Sequence, residues 1–152
     1  MSGSHQLKPV IVGVDGHEPS RVALEWAVDE ASRRRLPLEL VNAREILLRD
    51  PTAAYAGPGP DTRSAELLTE ASDRVHALAP QLPVVTRAER GVPVQVLVDA
   101  SRTASLVVVG ARGRGAFTSA FLGSTSMGVA AHGACPVAVV RTLPEILPDR
   151  PG

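Results

Sequence analysis

The chain has 152 residues, of which 44% are hydrophobic and 21% are charged, with 16 basic and 16 acidic side chains. This length suits one domain with one substantial core. A net charge of zero argues against a general nucleic-acid or membrane-surface binder, because both usually carry a basic excess. The single cysteine, Cys135, excludes an internal disulfide. Because the chain shows neither a leader pattern nor an apolar run near the roughly 18–20 residues of a membrane span, we expect a soluble cytoplasmic protein.

The first half of the chain predicts two strands and two helices in alternation. Residues 9–15 form an apolar run ending in Asp15, which is typical of a buried strand with the acid at its carboxyl end. From residue 19 to about 35 apolar residues recur at helical spacing, with Trp26 on the opposite side as a partly covered surface aromatic. Residues 36–43 predict the second strand, and residues 64–78 the second helix. The apolar faces of these helices comprise Leu24, Ala27, Val28 and Ala31 in the first, and Leu68, Ala71, Val75 and Leu78 in the second.

The second half continues this alternation. Residues 82–87 predict a more polar strand suited to a sheet edge, and Pro93 is well placed as the first residue of a helix ending near residue 101. Residues 106–109 predict a strand buried on both faces, residues 127–132 a short helix and residues 135–140 the last strand. Five strands alternating with four helices predict an α/β domain with one doubly wound parallel sheet and helices on both faces. We expect this domain at residues 8–141, with flexible ends at 1–7 and 142–152.

The long connection at residues 44–61 is rich in proline and glycine, so it predicts an irregular segment. A lid over a ligand and a passive loop both remain open for it. His132 and Cys135 are close in sequence, but zinc needs about three or four protein ligands. We therefore interpret His132 as a helix C-terminal residue and Cys135 as a small buried hydrophobe.

A strand end, a glycine-rich turn and a helix start come together after residue 106. The turn reads Gly110-Ala111-Arg112-Gly113-Arg114-Gly115, and Gly123-Ser124-Thr125-Ser126 opens the next helix. Glycines let main-chain N–H groups approach a phosphate, and the helix start and its hydroxyls add further donors. If the first and fourth strands are neighbours, Asp15 faces this turn across the sheet edge. The pattern therefore predicts a phosphate site.

Each of these residues also has a plainer interpretation. The glycines could serve a tight turn, and Arg112 and Arg114 could be solvated charges. Ser124 and Thr125 could be ordinary helix N-caps. Asp15 could merely cap a turn.

These motifs resemble the nucleotide-binding signature of the universal stress protein family, which is glycine, two residues, glycine, nine residues, then Gly-Ser or Gly-Thr. Gly110, Gly113 and Gly123-Ser124 match it without a gap. Residues 10–16, 91–93 and 131–140 resemble the family's first strand, the turn before its third helix and its closing segment. The resemblance spans about residues 8–141.

The resemblance implies a five-stranded parallel sheet in the order 3-2-1-4-5, an adenine-nucleotide alpha-hydrolase-like fold, with ATP along its carboxyl edge. It places Gly13 and Asp15 near the ribose and phosphates, and the main chain of Ala43 at the adenine edge. The residues implied to hold the ribose, the phosphates and the phosphate tail are Gly110, Arg112, Gly113, Arg114, Gly115, Gly123, Ser124 and Thr125. Asp15 would also be within reach of a magnesium ion bound with the phosphates. The chain departs from the family pattern at two places. Ala111-Arg112 stands where the family frequently has Ser-His, and Asn42 stands where it frequently has a histidine.

The implied function is that of an ATP-binding regulator in the stress response, with little or no hydrolysis and a protein partner that the sequence does not name. Resemblance to the family also suggests a homodimer through the last strand, residues 137–140. No Gly-x-x-x-x-Gly-Lys-[Ser/Thr] loop and no evident base for water are present, which favours binding over catalysis. Two alternatives remain: a dimeric interaction module that binds no nucleotide, and an ATP-consuming enzyme with a pyrophosphate loop. Residues 15–20 do not match the Ser-Gly-Gly-x-Asp-Ser type of loop that the enzyme would need.

Overall fold

The computed structural model describes residues 7–45, 62–111 and 123–141. Five strands and four helices alternate in these ranges. They are β1 (Val10–Gly13), α1 (Glu18–Arg34), β2 (Leu38–Arg44), α2 (Thr62–Leu78), β3 (Val84–Arg90), α3 (Pro93–Ser101), β4 (Leu106–Gly110), α4 (Ser124–His132) and β5 (Val137–Val140). Residues 1–6, 46–61, 112–122 and 142–152, which include most of both expected flexible ends and of the long connection, lie outside the described residues.

The five strands form one parallel sheet in the order β3-β2-β1-β4-β5. This confirms the predicted parallel sheet, the order implied by the family resemblance, and the edge position of β3. β1 lies at the centre and pairs with both β2 and β4, with Gly13 opposite Val41 and Val12 opposite Val108. The chain order reverses on either side of β1, so the carboxyl ends of β1, β2 and β4 meet at one crevice.

The sheet separates two apolar layers. One face of β1 and β4, including Val10, Val12 and Val108, packs against α1 and α2. The opposite face, including Ile11 and Val107, packs against α3 and α4. Because both faces are covered, the central strands read as continuous apolar runs rather than alternating ones. The predicted stripe of the first helix is buried, and Trp26 is 37% exposed, as expected.

Several details differ from the sequence prediction. β1 ends at Gly13 rather than Asp15, because its pairing with β2 stops there. β3 continues to Arg90, since its ladder with β2 runs as far as Arg44. Leu78 is 43% exposed although it shares the apolar face of α2, because it is the last residue of that helix. Cys135 is half-buried rather than buried, at the margin of the core on the α3 side.

No helix within residues 7–45, 62–111 and 123–141 combines the length and apolar character needed to cross a membrane.

Candidate functional site

A cavity of about 450 Å³ opens at the carboxyl edge of the sheet, between the ends of β1, β2 and β4 and the start of α4. Its lining includes every predicted site residue that the structure describes: Gly13, Asp15, Ala43, Gly110, Gly123, Ser124 and Thr125. The side chains of Val41, Leu97 and Val109 give it an apolar wall. The other four predicted site residues, Arg112, Gly113, Arg114 and Gly115, lie outside the described residues.

Two larger cavities have different surroundings. One of about 500 Å³ lies between α1 and α2 and is lined by charged residues such as Arg21 and Glu70, which form an exposed ion pair at 3.6 Å. The other, about 890 Å³, lies where the strands begin, among Leu36, Leu82 and neighbouring prolines. The first reaches Val14 after β1 and the start of α1, but neither is lined by the ends of β2 and β4 or by the start of α4. Chemistry rather than size therefore selects the cavity at the carboxyl edge.

The N-terminus of α4 supplies main-chain donors to this cavity. Gly123 is the N-cap residue and has no side chain, and the Met127 N–H makes a helical hydrogen bond to the Gly123 carbonyl at 2.9 Å. The N–H groups of the three residues before Met127 have no helical acceptor, and no side chain in the described ranges caps them. Ser124 and Thr125 belong to the first turn, so the interpretation of them as N-caps is wrong. This end of the helix suits an anion.

Gly110 has a packing role that the sequence analysis missed. A Cβ atom at this residue would lie 2.3 Å from the main-chain oxygen of Pro19, at the start of α1. The buried Ser126 hydroxyl also donates to the Gly110 carbonyl at 3.2 Å, which ties β4 to α4. A larger residue at 110 would push α1 away from the sheet edge. The glycine is therefore explained by close packing as well as by its place in the cavity.

Asp15 caps the turn between β1 and α1, as its plainer interpretation predicts. Its Oδ1 accepts the His17 N–H at 2.8 Å, and Gly16 between them has a φ of +83°. The Ser20 hydroxyl accepts the Asp15 N–H at 3.3 Å and donates to the His17 carbonyl at 3.1 Å. These bonds hold an exposed carboxylate on the cavity lining. The capping role is therefore compatible with a role in the site.

The main chain of Ala43 faces the crevice between β1 and β2. Along a strand, successive residues direct their N–H and C=O groups to opposite sides. The Val41 carbonyl accepts the Val14 N–H at 2.8 Å on the β1 side, and the Arg44 carbonyl accepts the Gly91 N–H at 3.0 Å on the β3 side. Ala43 therefore directs its N–H and C=O towards β1, beyond the last β1–β2 pair of Gly13 and Val41. One donor and one acceptor are thus presented side by side at the cavity.

A buried hydrogen-bond network lies directly behind Ala43. Asn42 is 5% exposed, and its Nδ2 donates to the Val14 carbonyl at 2.6 Å. The buried hydroxyl of Ser64, near the start of α2, donates to Asn42 Oδ1 at 2.6 Å. The only sequence signal for this network was an asparagine in an apolar strand. Its partners could not be found without the fold.

Outside the cavity, the described cysteine and histidine side chains do not form a cluster that could bind a metal ion. In the described ranges, no three His, Cys, Asp or Glu side chains come together as potential metal ligands. His132 is the last residue of α4, as predicted. Burial raises the pKa of the Cys135 thiol above its ordinary value.

The model of the universal stress protein family matches residues 6–141, nearly the whole chain. The chain belongs to the universal stress protein family. A universal stress protein of Mycobacterium tuberculosis is 38% identical over 146 residues, which cover 92% of this chain and 50% of that protein. The chain thus spans about half the length of the curated relatives that it matches.

Solved structures show the same fold. A universal stress protein in complex with cAMP is 28% identical, with a TM-score of 0.70, over 91% of this chain and 99% of that one. A universal stress protein from Archaeoglobus fulgidus in complex with dAMP is 21% identical, with a TM-score of 0.67, over 88% and 98% of the two chains. At that identity the second comparison shows the fold alone.

Proposed function

We propose that this universal stress protein domain binds ATP and acts in the cytoplasm as a nucleotide-dependent regulator of a protein partner during stress, with little or no hydrolysis. The observation that carries the proposal is the cavity at the carboxyl edge, which gathers all seven described residues that the family resemblance implied. The solved relative that holds cAMP, at 28% identity, supports the adenine nucleotide class. Within the adenine nucleotides we propose ATP, because the hydrogen-bond donors at the start of α4 can hold its phosphate chain.

The base fits best at the end of β2. Adenine has a ring nitrogen acceptor beside an amino donor, and the adjacent N–H and C=O of Ala43 complement that pair. Guanine has a ring N–H donor beside a carbonyl acceptor, so in the same orientation it would set donor against donor and acceptor against acceptor. Val41, Leu97 and Val109 offer the flat faces of the base an apolar wall.

The phosphates fit best at the start of α4. Main-chain N–H groups and the hydroxyls of Ser124 and Thr125 would donate to phosphate oxygens there, and the helix dipole favours their charge. Asp15 would repel a phosphate on its own. A magnesium ion bound to the phosphates would reverse this effect, because magnesium is commonly held by one carboxylate together with substrate oxygens and water.

Binding rather than catalysis is favoured by where the single lysine lies. Lys8 is the only lysine in the sequence. It precedes β1, and its carbonyl accepts the Ser105 hydroxyl at 2.7 Å, so it lies at the amino end of the strands. The proposed phosphate site is at the carboxyl edge, so this lysine is not placed to contact the phosphates as the P-loop lysine does.

We also propose a homodimer through β5. This edge strand pairs with β4 on one side, and no other strand in the described ranges pairs with it. Its four residues, Val137–Val140, are apolar and only half-buried. Pairing with a second copy would cover an edge that otherwise invites aggregation.

Calorimetric titration of ATP into the wild type and Gly13→Ala tests the proposed binding. A Cβ at Gly13 would lie 3.4 Å from Leu97 Cδ1, an ordinary contact, so the variant should fold while its methyl narrows the cavity. We expect wild-type binding and a loss of about tenfold or more in Gly13→Ala. Arg33→Ala, on the exposed surface of α1, is the matched control and should bind like the wild type.

Mass spectrometry of small molecules released from the purified, denatured wild type adds an independent check, and we expect an adenine nucleotide. A folded wild type that shows no heat with ATP and releases no nucleotide would overturn the proposal in favour of the non-binding module.

A further inference from the structure

The main-chain hydrogen-bond ladder between β1 and β2 ends with the bond from Val14 to Val41, although β2 continues to Arg44. The Val14 N–H donates to the Val41 carbonyl at 2.8 Å, as in a regular parallel pair. The next bond of such a ladder would run from the Ala43 N–H to the Val14 carbonyl. In the described part of the chain no main-chain bond joins these two groups.

The side chain of Asn42 takes the acceptor that the ladder leaves. Its Nδ2 donates to the Val14 carbonyl at 2.6 Å from the face of the sheet that packs on α1 and α2. The carbonyl therefore has a partner without using the Ala43 N–H. Since a buried carbonyl is costly to leave unpaired, this bond also stabilises the early end of the ladder.

Ser64 fixes which way the carboxamide points. Its hydroxyl donates to Asn42 Oδ1 at 2.6 Å, so the oxygen end faces α2 and the nitrogen end faces Val14. Ser64 is 3% exposed and Asn42 is 5% exposed. Little water competes for these bonds.

We propose that Asn42, oriented by Ser64, is a specificity-determining positioning residue that occupies the Val14 carbonyl and thereby keeps the Ala43 N–H available to the base of the nucleotide. This inference rests on the proposed function and adds a reason why the end of β2 is open. Without the carboxamide, the Ala43 N–H becomes the nearest main-chain donor for the Val14 carbonyl. The ladder then gains one bond, and the base loses a donor.

The variants Asn42→Ala and Ser64→Ala test this with two probes, AMP and inorganic tripolyphosphate. We expect AMP to bind roughly five- to tenfold more weakly to Asn42→Ala, the value of one net hydrogen bond, and Ser64→Ala to show a smaller loss. Tripolyphosphate has no base, so its affinity should not change.

The matched control is Ser101→Ala. Ser101 is also buried, and its hydroxyl accepts the Ala134 N–H at 2.7 Å; neither of these two residues lines the cavity. This control should lose stability but bind AMP like the wild type. Equal losses for AMP and tripolyphosphate, or AMP binding unchanged in Asn42→Ala, would overturn the inference while leaving the proposed function in place.

Amide hydrogen exchange in the unliganded proteins tests the hydrogen-bond argument without any nucleotide. The Ala43 amide should exchange fast in the wild type and at least tenfold more slowly in Asn42→Ala. If the wild-type amide is already protected, the inference is wrong. If instead exchange behaves as expected but the wild type binds neither probe, the failure belongs to the proposed function.

Discussion

The close contact at Gly110 gives the sharpest stability prediction. A Cβ at this residue would lie 2.3 Å from the carbonyl oxygen and 2.5 Å from the carbonyl carbon of Pro19. These are main-chain atoms at the start of α1, so no side-chain rotation can relieve the clash. Overpacking costs about 1–3 kcal/mol, and we place Gly110→Ala at the upper end, about 3 kcal/mol. In a protein of this size that lowers Tm by roughly 6–12 °C.

Thermal unfolding followed by circular dichroism measures the effect, with Gly13→Ala as the matched control. Both glycines end central strands and line the same cavity. The Cβ at Gly13 would meet only side-chain atoms at ordinary distances, Leu97 Cδ1 at 3.4 Å and Val109 Cγ1 at 4.0 Å, so we expect a Tm within about 2 °C of the wild type. The packing argument fails if Gly110→Ala unfolds at the wild-type temperature, or if Gly13→Ala is the less stable of the two.

Three further predictions concern residues away from the cavity wall. Gly16→Ala should lose about 1–2 kcal/mol in urea unfolding, because its φ is +83° and its Cβ would lie 2.6 Å from Leu67 Cδ2; wild-type stability would contradict this. Arg33→Ala should change stability by less than about 0.5 kcal/mol in the same assay, since the Arg33 side chain that pairs with Asp29 at 2.9 Å and Glu30 at 3.4 Å is exposed, and a larger loss would contradict this. Cys135 should react with a thiol reagent more slowly than free cysteine at pH 8, because its raised pKa keeps the thiol protonated to higher pH; an equal or faster rate would contradict the burial.

The fold was predictable because its strongest signals are local. Residues 10–13 and 106–109 are apolar without alternation, which is typical of strands in a sheet covered on both faces. Pro93 marks the first residue of α3 as predicted, since a missing N–H has no cost there. The ends of β1 and β3 were less predictable. They depend on how far each strand pairs with β2, which is set by the fold.

The cavity was predictable as a set of residues but not as a set of contacts. The spacing of Gly110 and Gly123-Ser124 with Asp15 indicated which strand and helix ends meet. The contact of Gly110 with Pro19 and the bond of Asn42 with Ser64 join residues far apart in sequence. A glycine or asparagine in a strand signals only that some constraint exists there. The partner that imposes the constraint comes from packing.

The most direct test of the account is an amide NMR titration of the wild type with ATP. We predict that the largest shifts fall on the amides of Ala43, Ser124 and Thr125, which lie at the two ends of the cavity. The amide signals of Arg21 and Glu70, which line the cavity between α1 and α2, should not shift. Shifts confined to that second cavity, or no shifts at saturating ATP, would contradict the assignment of the nucleotide site to the carboxyl edge of the sheet.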